Sequence, residues 1–363
     1  MTSYLLAGGG TAGHVNPMLA IADEIRRREP DAHIVMIGTK EGLEARLVPA
    51  RGYELHTIPR LPFPRRLDSR AFRFIALWRK TVRDVMGVIR DRNVDVVIGV
   101  GGYAAAPAYS AAKKLRIPIV IHEANAKPGM ANKRAARWTP YVGVAFANTK
   151  IAHARFVGMP LRPEIQNLNV AASREQAVAH FGFSTERPVL VVTGGSLGAQ
   201  RINEAIIEAI PALTRAGIQV LHITGERNDI PLPQAPGYSA VAYCNEMEWA
   251  FAAASLVVAR AGASTVSELC ALGIPAVYVP YAVGNGEQTL NARNVCVAGG
   301  AMMVRDDEFT AEWVRENIIS LISNSSRLEQ MAAASRSTGE LNGSSLTVDL
   351  VGEALTSSSA SSA

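Results

Sequence analysis

The chain has 363 residues, of which 48% are hydrophobic and 19% are charged. This length exceeds one ordinary domain, and the balance excludes disordered and fibrous classes, so two globular domains are expected. The sequence contains no run of about 18 apolar residues, which excludes a predicted transmembrane helix. The N-terminus lacks a basic signal-peptide region, which predicts a cytoplasmic protein.

Charge is distributed unevenly along the chain. Residues 1–162 hold 26 Lys and Arg against 12 Asp and Glu, a net charge of +14, whereas residues 163–363 hold 11 against 20, a net charge of −9. The basic half is predicted to meet an anionic surface, with a solvated surface as the alternative. Cys244, Cys270 and Cys296 lack metal or disulfide spacing and are expected to be small core residues.

Short β-branched runs alternate with helical stretches, which is typical of parallel sheets built from βαβ units. The expected strands are, in order, YLLA, HIVMIG, VDVVIGV, IPIVIHE, PVLVVT, GIQVLHIT, ASLVVAR and IPAVYVP. A strand followed by a glycine turn opens each half, so the pattern predicts two Rossmann-like α/β domains over 1–160 and 161–340, divided within VGMPLRP. A C-terminal helix over 341–355, packing back on the N-terminal domain, and a disordered tail over 356–363 are also expected.

Glycine turns follow three of these strands, at 8–13, 99–103 and 194–198. The first reads G-x-G-x-x-G before a helix expected over 16–28, which is typical of a phosphate-holding turn. A nicotinamide dehydrogenase is disfavoured because Gly38 and Thr39 stand where a ribose-binding acid is needed. The second resembles a hydrolase nucleophile elbow. Because His222, the single histidine after Ser196, lies in a predicted strand, a phosphate on Ser196 is favoured.

Longer segments resemble the MurG family, in the family's order. They are AGGGTAGHVNP at 7–17, GVGGYAAAPAYSAAKKLRIPIVIHEAN at 99–125, VGMPLR at 157–162, TGGSLGAQRIN at 193–203, RAGASTVSELCALGIPAVYVPY at 260–281 and EQTLNA at 287–292. The resemblance implies the GT-B architecture, two Rossmann-like domains with an interdomain cleft. It also implies inverting transfer of GlcNAc from UDP-GlcNAc to the MurNAc 4-hydroxyl of lipid I, which forms lipid II in peptidoglycan synthesis.

The resemblance further implies the partners of the chain. These are UDP-GlcNAc, undecaprenyl-linked lipid I and the anionic cytoplasmic face of the cell membrane. Nucleic acid is not expected as a partner, and binding to cell-wall or division proteins is left as an open possibility. No cofactor is expected, although Mg²⁺ arriving with the diphosphate also stays open. Two other functions remain alternatives, namely a UDP-GlcNAc 2-epimerase of the same fold, which needs no lipid, and a non-catalytic UDP-sugar-binding subunit.

Carried over by resemblance, the donor site has members in both halves of the chain. Ser196 is expected at the diphosphate, the backbone near Cys244 at uracil, and Glu268 at the ribose hydroxyls, because a carboxylate only accepts hydrogen bonds. Ala12 and Glu287 depart from the family pattern, which usually has glycine at the first position and can have glutamine at the second. The full substrate-binding set is Thr11, Ala12, Gly13, Asn125, Arg162, Ser196, Cys244, Ala263, Ser264, Thr265, Val266, Ser267, Glu268 and Gln288.

Inverting transfer needs a base for the acceptor proton and stabilisation of the departing UDP. His14, on the acceptor side by resemblance, is the candidate catalytic base, with helix capping as the alternative. Glu123 is the rival base or an orienting group, with a carboxylate paired to a lysine as the alternative. Since the sequence has no D-x-D motif, helix N-termini, Arg162 or Arg260 are expected to stabilise the diphosphate.

Residues 60–90 hold nine basic and two acidic residues. Ile75, Trp78, Val82, Val85 and Ile89 recur at helical spacing and are predicted to form a core stripe. Apolar and basic residues interleave off this stripe, which suits docking on an anionic bilayer, with an arginine-rich solvated helix as the alternative. The membrane-docking candidates are Phe63, Leu67, Phe74, Leu77, Arg73, Arg79 and Lys80.

Overall fold

In the computed structural model, residues 1–61, 69–195, 197–281 and 286–362 are described, except for the side chains of Ala12, 69–73 and 359–362. The chain divides into two compact units, Met1–Arg162 with Asn342–Ala363, and Pro163–Leu341. Each unit holds a parallel sheet with helices, which confirms the predicted α/β class with two Rossmann-like domains. The division falls within the glycine- and proline-containing VGMPLRP segment.

The sheet of the first unit has the order β3-β2-β1-β4-β5-β6-β7, with each neighbouring pair parallel. Its strands are β1 (Ser3–Ala7), β2 (His33–Thr39), β3 (Glu54–Ile58), β4 (Val96–Gly99), β5 (Ile119–Glu123), β6 (Val142–Val144) and β7 (Ala154–Phe156). Its helices are α1 (Ala12–Arg28), α2 (Glu44–Ala50), α3 (Ser69–Asp91), α4 (Gly102–Leu115), α5 (Met130–Ala135) and the C-terminal α15 (Gly343–Ser362).

Both faces of this sheet are buried. Alternate residues of β1 point to opposite faces, so that Leu5 joins a cluster with α3 and α4, whereas Leu6 joins a cluster with α1 and α15. Burial on both faces explains why β1, β2, β4 and β5 read as continuous apolar runs in the sequence. The carboxyl ends of these strands therefore carry the turns that can hold a ligand.

The C-terminal helix α15 belongs to the first unit, where Leu350, Val351 and Ala354 enter the core cluster of β1 and α1. The expectation of a disordered tail from 356 is wrong, because this helix continues to Ser362. The hydroxyls of Thr356 and Ser357 donate to backbone carbonyls four residues earlier, which lets these polar side chains remain within the helix.

The sheet of the second unit has the order β10-β9-β8-β11-β12-β13 and is likewise parallel. Its strands are β8 (Val189–Thr193), β9 (Gln219–Ile223), β10 (Tyr238–Val241), β11 (Leu256–Ala259), β12 (Ala276–Tyr278) and β13 (Ala301–Met303). Its helical segments are α6 (Pro163–Gln166), α7 (Val170–His180), α8 (Gln200–Arg215), α9 (Met247–Ala253), α10 (Ala263–Leu272), α11 (Glu287–Val297), α12 (Ala311–Trp313), a π-helical turn (Val314–Ile318), α13 (Ile319–Ile322) and α14 (Ser325–Arg336).

Two local predictions about the first unit need correction. Helix α1 begins at Ala12, four residues before the expected start, and contains Pro17. The predicted core stripe of α3 holds for Val82, Val85 and Ile89, but Ile75 is 47% exposed. Among the described residues, Trp78 is half-buried and packs against the core, so the stripe is fully buried only in the later turns of α3. Among the helices of the described residues, none is long and apolar enough to span a membrane.

Candidate active site

The first glycine turn lies between β1 and α1. Gly9 and Gly10 have positive φ angles of 154° and 95°, which side-chain-bearing residues rarely adopt. Thr11 is the N-cap of α1, and Ala12 is its first residue, where alanine favours a helix. Because residue 12 is the first residue of a helix, its backbone conformation does not require the glycine that the family usually has at this position.

His14 lies in the first turn of α1 and does not cap the helix, because Thr11 holds that position. The His14 amide donates to the Thr11 carbonyl at 3.0 Å, and His14 Nδ1 lies 3.3 Å from Thr11 Oγ1. The side chain is half-buried. Thr11 thus contacts both the backbone and the imidazole of His14, which fixes the ring orientation.

A buried carboxylate that the sequence analysis missed closes this turn from behind. Glu44 is fully buried, and its carboxylate accepts bonds from the Gly10 amide at 2.8 Å, the Thr39 amide at 2.7 Å and Thr39 Oγ1 at 2.8 Å. Burial alone would raise the pKa of Glu44, but the N–H donors of Gly10, Thr39 and Glu44 itself and the Thr39 hydroxyl lower the pKa below its usual value. The Gly10 N–H is therefore bonded within the protein, against the expectation of a purely phosphate-holding turn.

The third glycine turn packs against the first. A Cβ on Gly102 would lie 2.7 Å from the Gly9 carbonyl oxygen, so the two backbones touch. A Cβ on Gly101 would lie 3.3 Å from both His14 Nε2 and Asn132 Nδ2. These close approaches explain why both positions are glycine, and they bring the turns after β1 and β4 together around His14.

A cavity of about 180 Å³ opens beside these two turns. Tyr103 is 39% exposed, and the Arg60 guanidinium lies over its ring, 4.8 Å from the centroid. The cavity therefore combines a histidine, a cation stacked on an aromatic ring, and polar backbone. Its lining residues are Gly9, Gly10, Thr11, His14, Thr39, Glu41, Gly42, Arg60, Gly102 and Tyr103.

Glu123, at the end of β5, is 3% exposed. Its carboxylate accepts bonds from the Asn125 amide at 2.9 Å, the Gly129 amide at 3.0 Å and Asn132 Nδ2 at 2.9 Å. Burial raises the pKa of Glu123, while these donors oppose the rise. The contacts tie the segment after β5 to α5, and Asn132 links Glu123 to the hydroxyl of Tyr109 at 2.7 Å.

The second glycine turn lies between β8 and α8 in the other unit. The Gly195 amide donates to Thr193 Oγ1 at 3.2 Å, and the Gly198 amide donates to the Gly195 carbonyl at 2.9 Å. A Cβ on Gly198 would lie 2.4 Å from the Thr224 carbonyl oxygen, so the turn packs against the segment after β9. Ser196, the expected diphosphate residue, lies outside the described residues.

A neutral polar network supports this second turn. Asn203 Nδ2 donates to the Thr224 carbonyl at 2.8 Å and to Asn228 Oδ1 at 2.9 Å, which uses both of its hydrogens. His222 Nε2 lies 3.1 Å from Asn203 Oδ1 and Nδ1 lies 3.1 Å from the Tyr238 hydroxyl. Because burial lowers the pKa of His222 to about 4, the ring is neutral, with Nε2–H donating to Asn203. This buried histidine cannot serve as a hydrolase base for Ser196.

The expected donor residues 263–268 form the start of helix α10, which begins at Ala263. Ser264, Thr265, Ser267 and Glu268 are half-buried residues, but the Ser267 hydroxyl oxygen is itself buried. Ala263 and Val266 are 8% and 1% exposed and offer a ligand mainly their backbone. The helix therefore presents its N-terminal N–H groups, hydroxyls and one carboxylate along 263–268.

Other expected donor residues occupy loops and helix starts. Gln288, in the first turn of α11, accepts a bond from the Tyr281 amide at 2.9 Å. Cys244 lies half-buried between β10 and α9, and burial raises the pKa of its thiol. In the first unit, the Asn125 carbonyl accepts a bond from Thr149 Oγ1 at 3.3 Å, and Arg162 is the last residue before the division.

Arg260 does not fit the expectation of a free cation for the diphosphate. Its guanidinium pairs with Asp306 and donates to the Val279 carbonyl at 3.0 Å, and its side chain is 12% exposed. Its charge is thus balanced within the unit. Within the described residues, no cluster of three or more His, Cys, Asp or Glu side chains is placed to hold a metal ion.

The membrane-docking candidates that are described lie at the start of α3. Leu77, Arg79 and Lys80 are exposed, and Phe74 stacks on Trp78 with 5.9 Å between ring centroids. Phe63 and Leu67 lie outside the described residues, and the side chain of Arg73 is not described. Elsewhere in the same unit, Lys113 Nζ of α4 lies 4.3 Å from the Trp138 ring centroid.

Comparison with known proteins gives a consistent result over the whole chain. Residues 4–144 match the glycosyltransferase family 28 N-terminal domain and residues 189–346 match the glycosyltransferase family 28 C-terminal domain. The UDP-N-acetylglucosamine–N-acetylmuramyl-(pentapeptide) pyrophosphoryl-undecaprenol N-acetylglucosamine transferase of Leifsonia xyli subsp. xyli is 55% identical, over 97% of this chain and 98% of the relative. The transferase of the same name from Streptomyces coelicolor is 46% identical, over 97% and 98%.

Solved structures agree. The crystal structure of Acinetobacter baumannii MurG is similar with a TM-score of 0.78 and 26% identity, over 97% of this chain and 100% of that one. A UDP-GlcNAc 2-epimerase from Neisseria meningitidis has a TM-score of 0.67 at 14% identity, over 97% and 100%, which reflects the shared fold alone. The chain belongs to the MurG family of glycosyltransferase family 28, with the GT-B fold.

Proposed function

We propose that His14 removes the proton from the acceptor hydroxyl while the enzyme transfers GlcNAc from UDP-GlcNAc to the 4-hydroxyl of MurNAc in lipid I. The transfer itself, which forms lipid II in peptidoglycan synthesis, follows from membership of the MurG family, and the observation that carries it is 55% identity over 97% of the chain. In this reaction the acceptor oxygen bonds to the anomeric carbon from the face opposite the diphosphate. The bond to the diphosphate breaks, and UDP leaves with the electron pair.

The contact between Thr11 and His14 supports the role of His14. When Nδ1–H donates to Thr11 Oγ1, Nε2 holds the lone pair that can accept a proton. Nε2 lies beside the Gly101 backbone, at the cavity that the first and third turns share. In this tautomer the imidazole can act as a general base at neutral pH.

Glu123 is better suited to positioning than to proton transfer. Both of its carboxylate oxygens accept bonds from the segment that follows β5 and from α5. We therefore assign Glu123 the role of holding Asn125, a predicted substrate-binding residue, in place. This assignment resolves the two candidate bases in favour of His14.

The second unit binds the donor in this proposal. Helix α10 directs its first N–H groups and the Ser264 and Thr265 side chains toward the nucleotide, and Glu268 accepts hydrogen bonds from the ribose hydroxyls. Ser196 and the helix α8 that follows it stabilise the charge that develops on the departing diphosphate. Gln288 contacts the GlcNAc moiety, and the backbone near Cys244 reads uracil.

Release of UDP from UDP-GlcNAc, with and without a short-chain lipid I analogue, tests this function, with mass analysis of the product. Acceptor-dependent release with a gain of one GlcNAc is expected. Acceptor-independent release with formation of ManNAc would instead identify an epimerase. Donor binding without turnover on any acceptor would identify a UDP-sugar-binding subunit.

The enzyme also docks on the cytoplasmic face of the cell membrane in this proposal, where its lipid-linked acceptor resides. The exposed Ile75 and Leu77 beside Arg79 and Lys80 support this, as does the net charge of +14 over residues 1–162. Co-sedimentation with anionic vesicles at low salt, lost at high salt or with neutral lipid, is the expected result. Failure to sediment at low salt would contradict the membrane role.

An arginine and lysine exchange sharpens the membrane test. Replacing Arg79 and Lys80 by glutamine is expected to weaken vesicle binding by about 1 kcal/mol for each charge removed. The matched control is R215Q/R327Q in the second unit, which removes two cations at the ends of α8 and α14. Equal losses of vesicle binding for the two double variants would show that only the net charge of the protein matters.

A further inference from the structure

A buried carboxylate stands behind the turn that carries His14, and the sequence motifs do not account for it. We propose that Glu44 is a positioning residue for the transfer reaction, because its carboxylate fixes Gly10 and, through Thr11, the direction of His14. This proposal rests on the role of His14 given above. Glu44 lies 34 residues from Gly10 in sequence, so the contact exists only in the folded unit.

The surroundings of Glu44 are shaped for this one side chain. Cβ atoms built on Gly9, Gly38 and Gly42 would lie 2.3 Å, 2.3 Å and 2.1 Å from Glu44 atoms. Glycine at these three positions leaves the space that the carboxylate occupies. Burial of an ion costs several kcal/mol unless donors surround it, and here two amides and one hydroxyl do so.

The path from Glu44 to the imidazole is short. Gly10 is held at a φ of 95° and donates its N–H to Glu44 Oε2. The next residue, Thr11, caps α1, accepts the His14 amide and contacts His14 Nδ1. A shift of Gly10 is therefore transmitted to the ring through two contacts on the same residue.

The carboxylate also determines what kind of group this turn can bind. The Gly10 N–H is committed to Glu44 and is not available to a ligand phosphate. A buried negative charge behind the turn disfavours an anion at this point and suits an uncharged sugar hydroxyl. That is the group from which His14 takes a proton.

The test replaces Glu44 by glutamine. The glutamine side chain keeps the size of glutamate but has one amide nitrogen that cannot accept a hydrogen bond, so either the Gly10 N–H or the Thr39 N–H loses its partner. We expect E44Q to lower kcat by about 10- to 100-fold, the effect of a small misplacement of a catalytic group. The KM for UDP-GlcNAc should change by less than about twofold, since Glu44 acts on the acceptor side in this proposal. Loss of folded enzyme would also lower the apparent kcat at unchanged KM, so kcat is compared with a control variant at equal loss of Tm. E44D, which keeps the charge, should recover part of the rate.

The matched control is E24Q. Glu24 is also a buried carboxylate of the first unit, 8% exposed, but it accepts bonds from Arg27 and Arg28 on α1, away from the turn. E24Q should lower thermal stability and leave kcat unchanged. If E24Q and E44Q lower kcat equally at equal loss of Tm, or if E44Q retains wild-type kcat, the positioning role of Glu44 is overturned.

A double-mutant cycle separates this proposal from that for His14, measured in single turnovers with excess enzyme. If Glu44 acts through His14, E44Q should reduce the rate of the H14A enzyme by less than about twofold. Full additivity of the two losses would overturn the positioning role. Wild-type turnover of H14A would contradict the role of His14 as the base. A normal rate of E44Q together with a slow H14A would contradict only the role of Glu44.

Discussion

The first and second glycine turns are built on the same strand-turn-helix unit but are supported in opposite ways. Behind the first turn stands a buried carboxylate, Glu44, which accepts the Gly10 N–H. Behind the second stands a neutral network of Asn203, His222 and Thr224. The Glu44 carboxylate occupies N–H donors of the first turn, and its charge disfavours an anion there. The neutral network behind the second turn leaves the positive N-terminal end of α8 available to bind an anion. The contrast suits an acceptor hydroxyl at one turn and a diphosphate at the other.

The largest effect is expected at the first turn. H14A should lower kcat by about 10²- to 10⁴-fold, the usual contribution of a general base, with little change in donor affinity. Steady-state kinetics with a lipid I analogue and UDP-GlcNAc measure both parameters. H153N replaces an exposed histidine of the same unit, at a φ of 59° that asparagine tolerates, and should behave as wild type. Near-wild-type turnover of H14A would contradict the assignment of His14 as the catalytic base.

The second turn and α10 should respond through donor affinity. E268Q should weaken UDP-GlcNAc binding by about 10- to 100-fold, because a hydrogen bond to a charged group is worth about 1.5–3 kcal/mol. Isothermal titration with UDP measures the loss directly, and kcat should fall less than affinity. E329Q, an exposed carboxylate on α14, is the matched control. A loss of kcat with unchanged UDP affinity would move Glu268 from binding to chemistry.

Lowering the pH should change the stability contribution of His222, behind the second turn, but not that of Glu44, behind the first. Burial lowers the pKa of His222 to about 4, so its contribution to stability is complete above the unfolded value of about 6.5 and declines as the pH falls toward 4. Between pH 7 and pH 5 this amounts to about 2 kcal/mol. Glu44, whose pKa lies below its usual value, remains ionised over the same range and contributes no change.

The measurement is urea unfolding at pH 7 and pH 5. Other groups titrate as well, since burial lowers the pKa of His122 to about 4 and raises the pKa of Glu123, which acts in the opposite direction. The informative quantity is therefore the difference between wild type and H222Q, which should shrink at pH 5. H153N should leave the pH dependence unchanged. A constant difference between wild type and H222Q would show that folding does not lower the pKa of His222.

The last prediction concerns stability alone, at the glycines where each turn touches its neighbour. G102A would place a Cβ 2.7 Å from the Gly9 carbonyl, and G198A would place one 2.4 Å from the Thr224 carbonyl. Each should lower the free energy of unfolding by about 1–3 kcal/mol, since both residues also have positive φ. G52A and G217A, with positive φ but open space, isolate the backbone strain from the clash. Equal losses in all four variants would show that contact between segments contributes nothing.

Much of the fold could be predicted because it depends on local periodicity. The apolar runs of β1, β2, β4 and β5, and of β8, β9, β11 and β12, identify buried parallel strands, with turn residues where they end. The short strands β3, β6, β7, β10 and β13 were missed. The residues of β7 are exposed and those of β10 half-buried, so they leave no run of apolar residues to detect.

The candidate site was predicted less completely. His14, Glu123 and the start of α10 could be predicted as candidates because each follows a recognisable strand or turn. Glu44, Asn132 and Asn203 were missed, although Gly38 and Gly42 around Glu44 were a usable signal, since small residues beside an acid leave room for a buried carboxylate. Arg260 was misjudged because its pairing with Asp306, 46 residues later, leaves no trace in local sequence.

Local sequence pattern was sufficient to predict two parallel sheets with glycine turns at the carboxyl ends of strands, and the motifs identified the family. Those features depend on neighbours within a few residues, which a pattern records. Contacts between distant segments were needed to learn which turns meet, which polar groups face them and which charges are already balanced. Hydrogen bonds and steric contacts act over a few ångströms between residues such as Gly10 and Glu44, and folding alone brings these together.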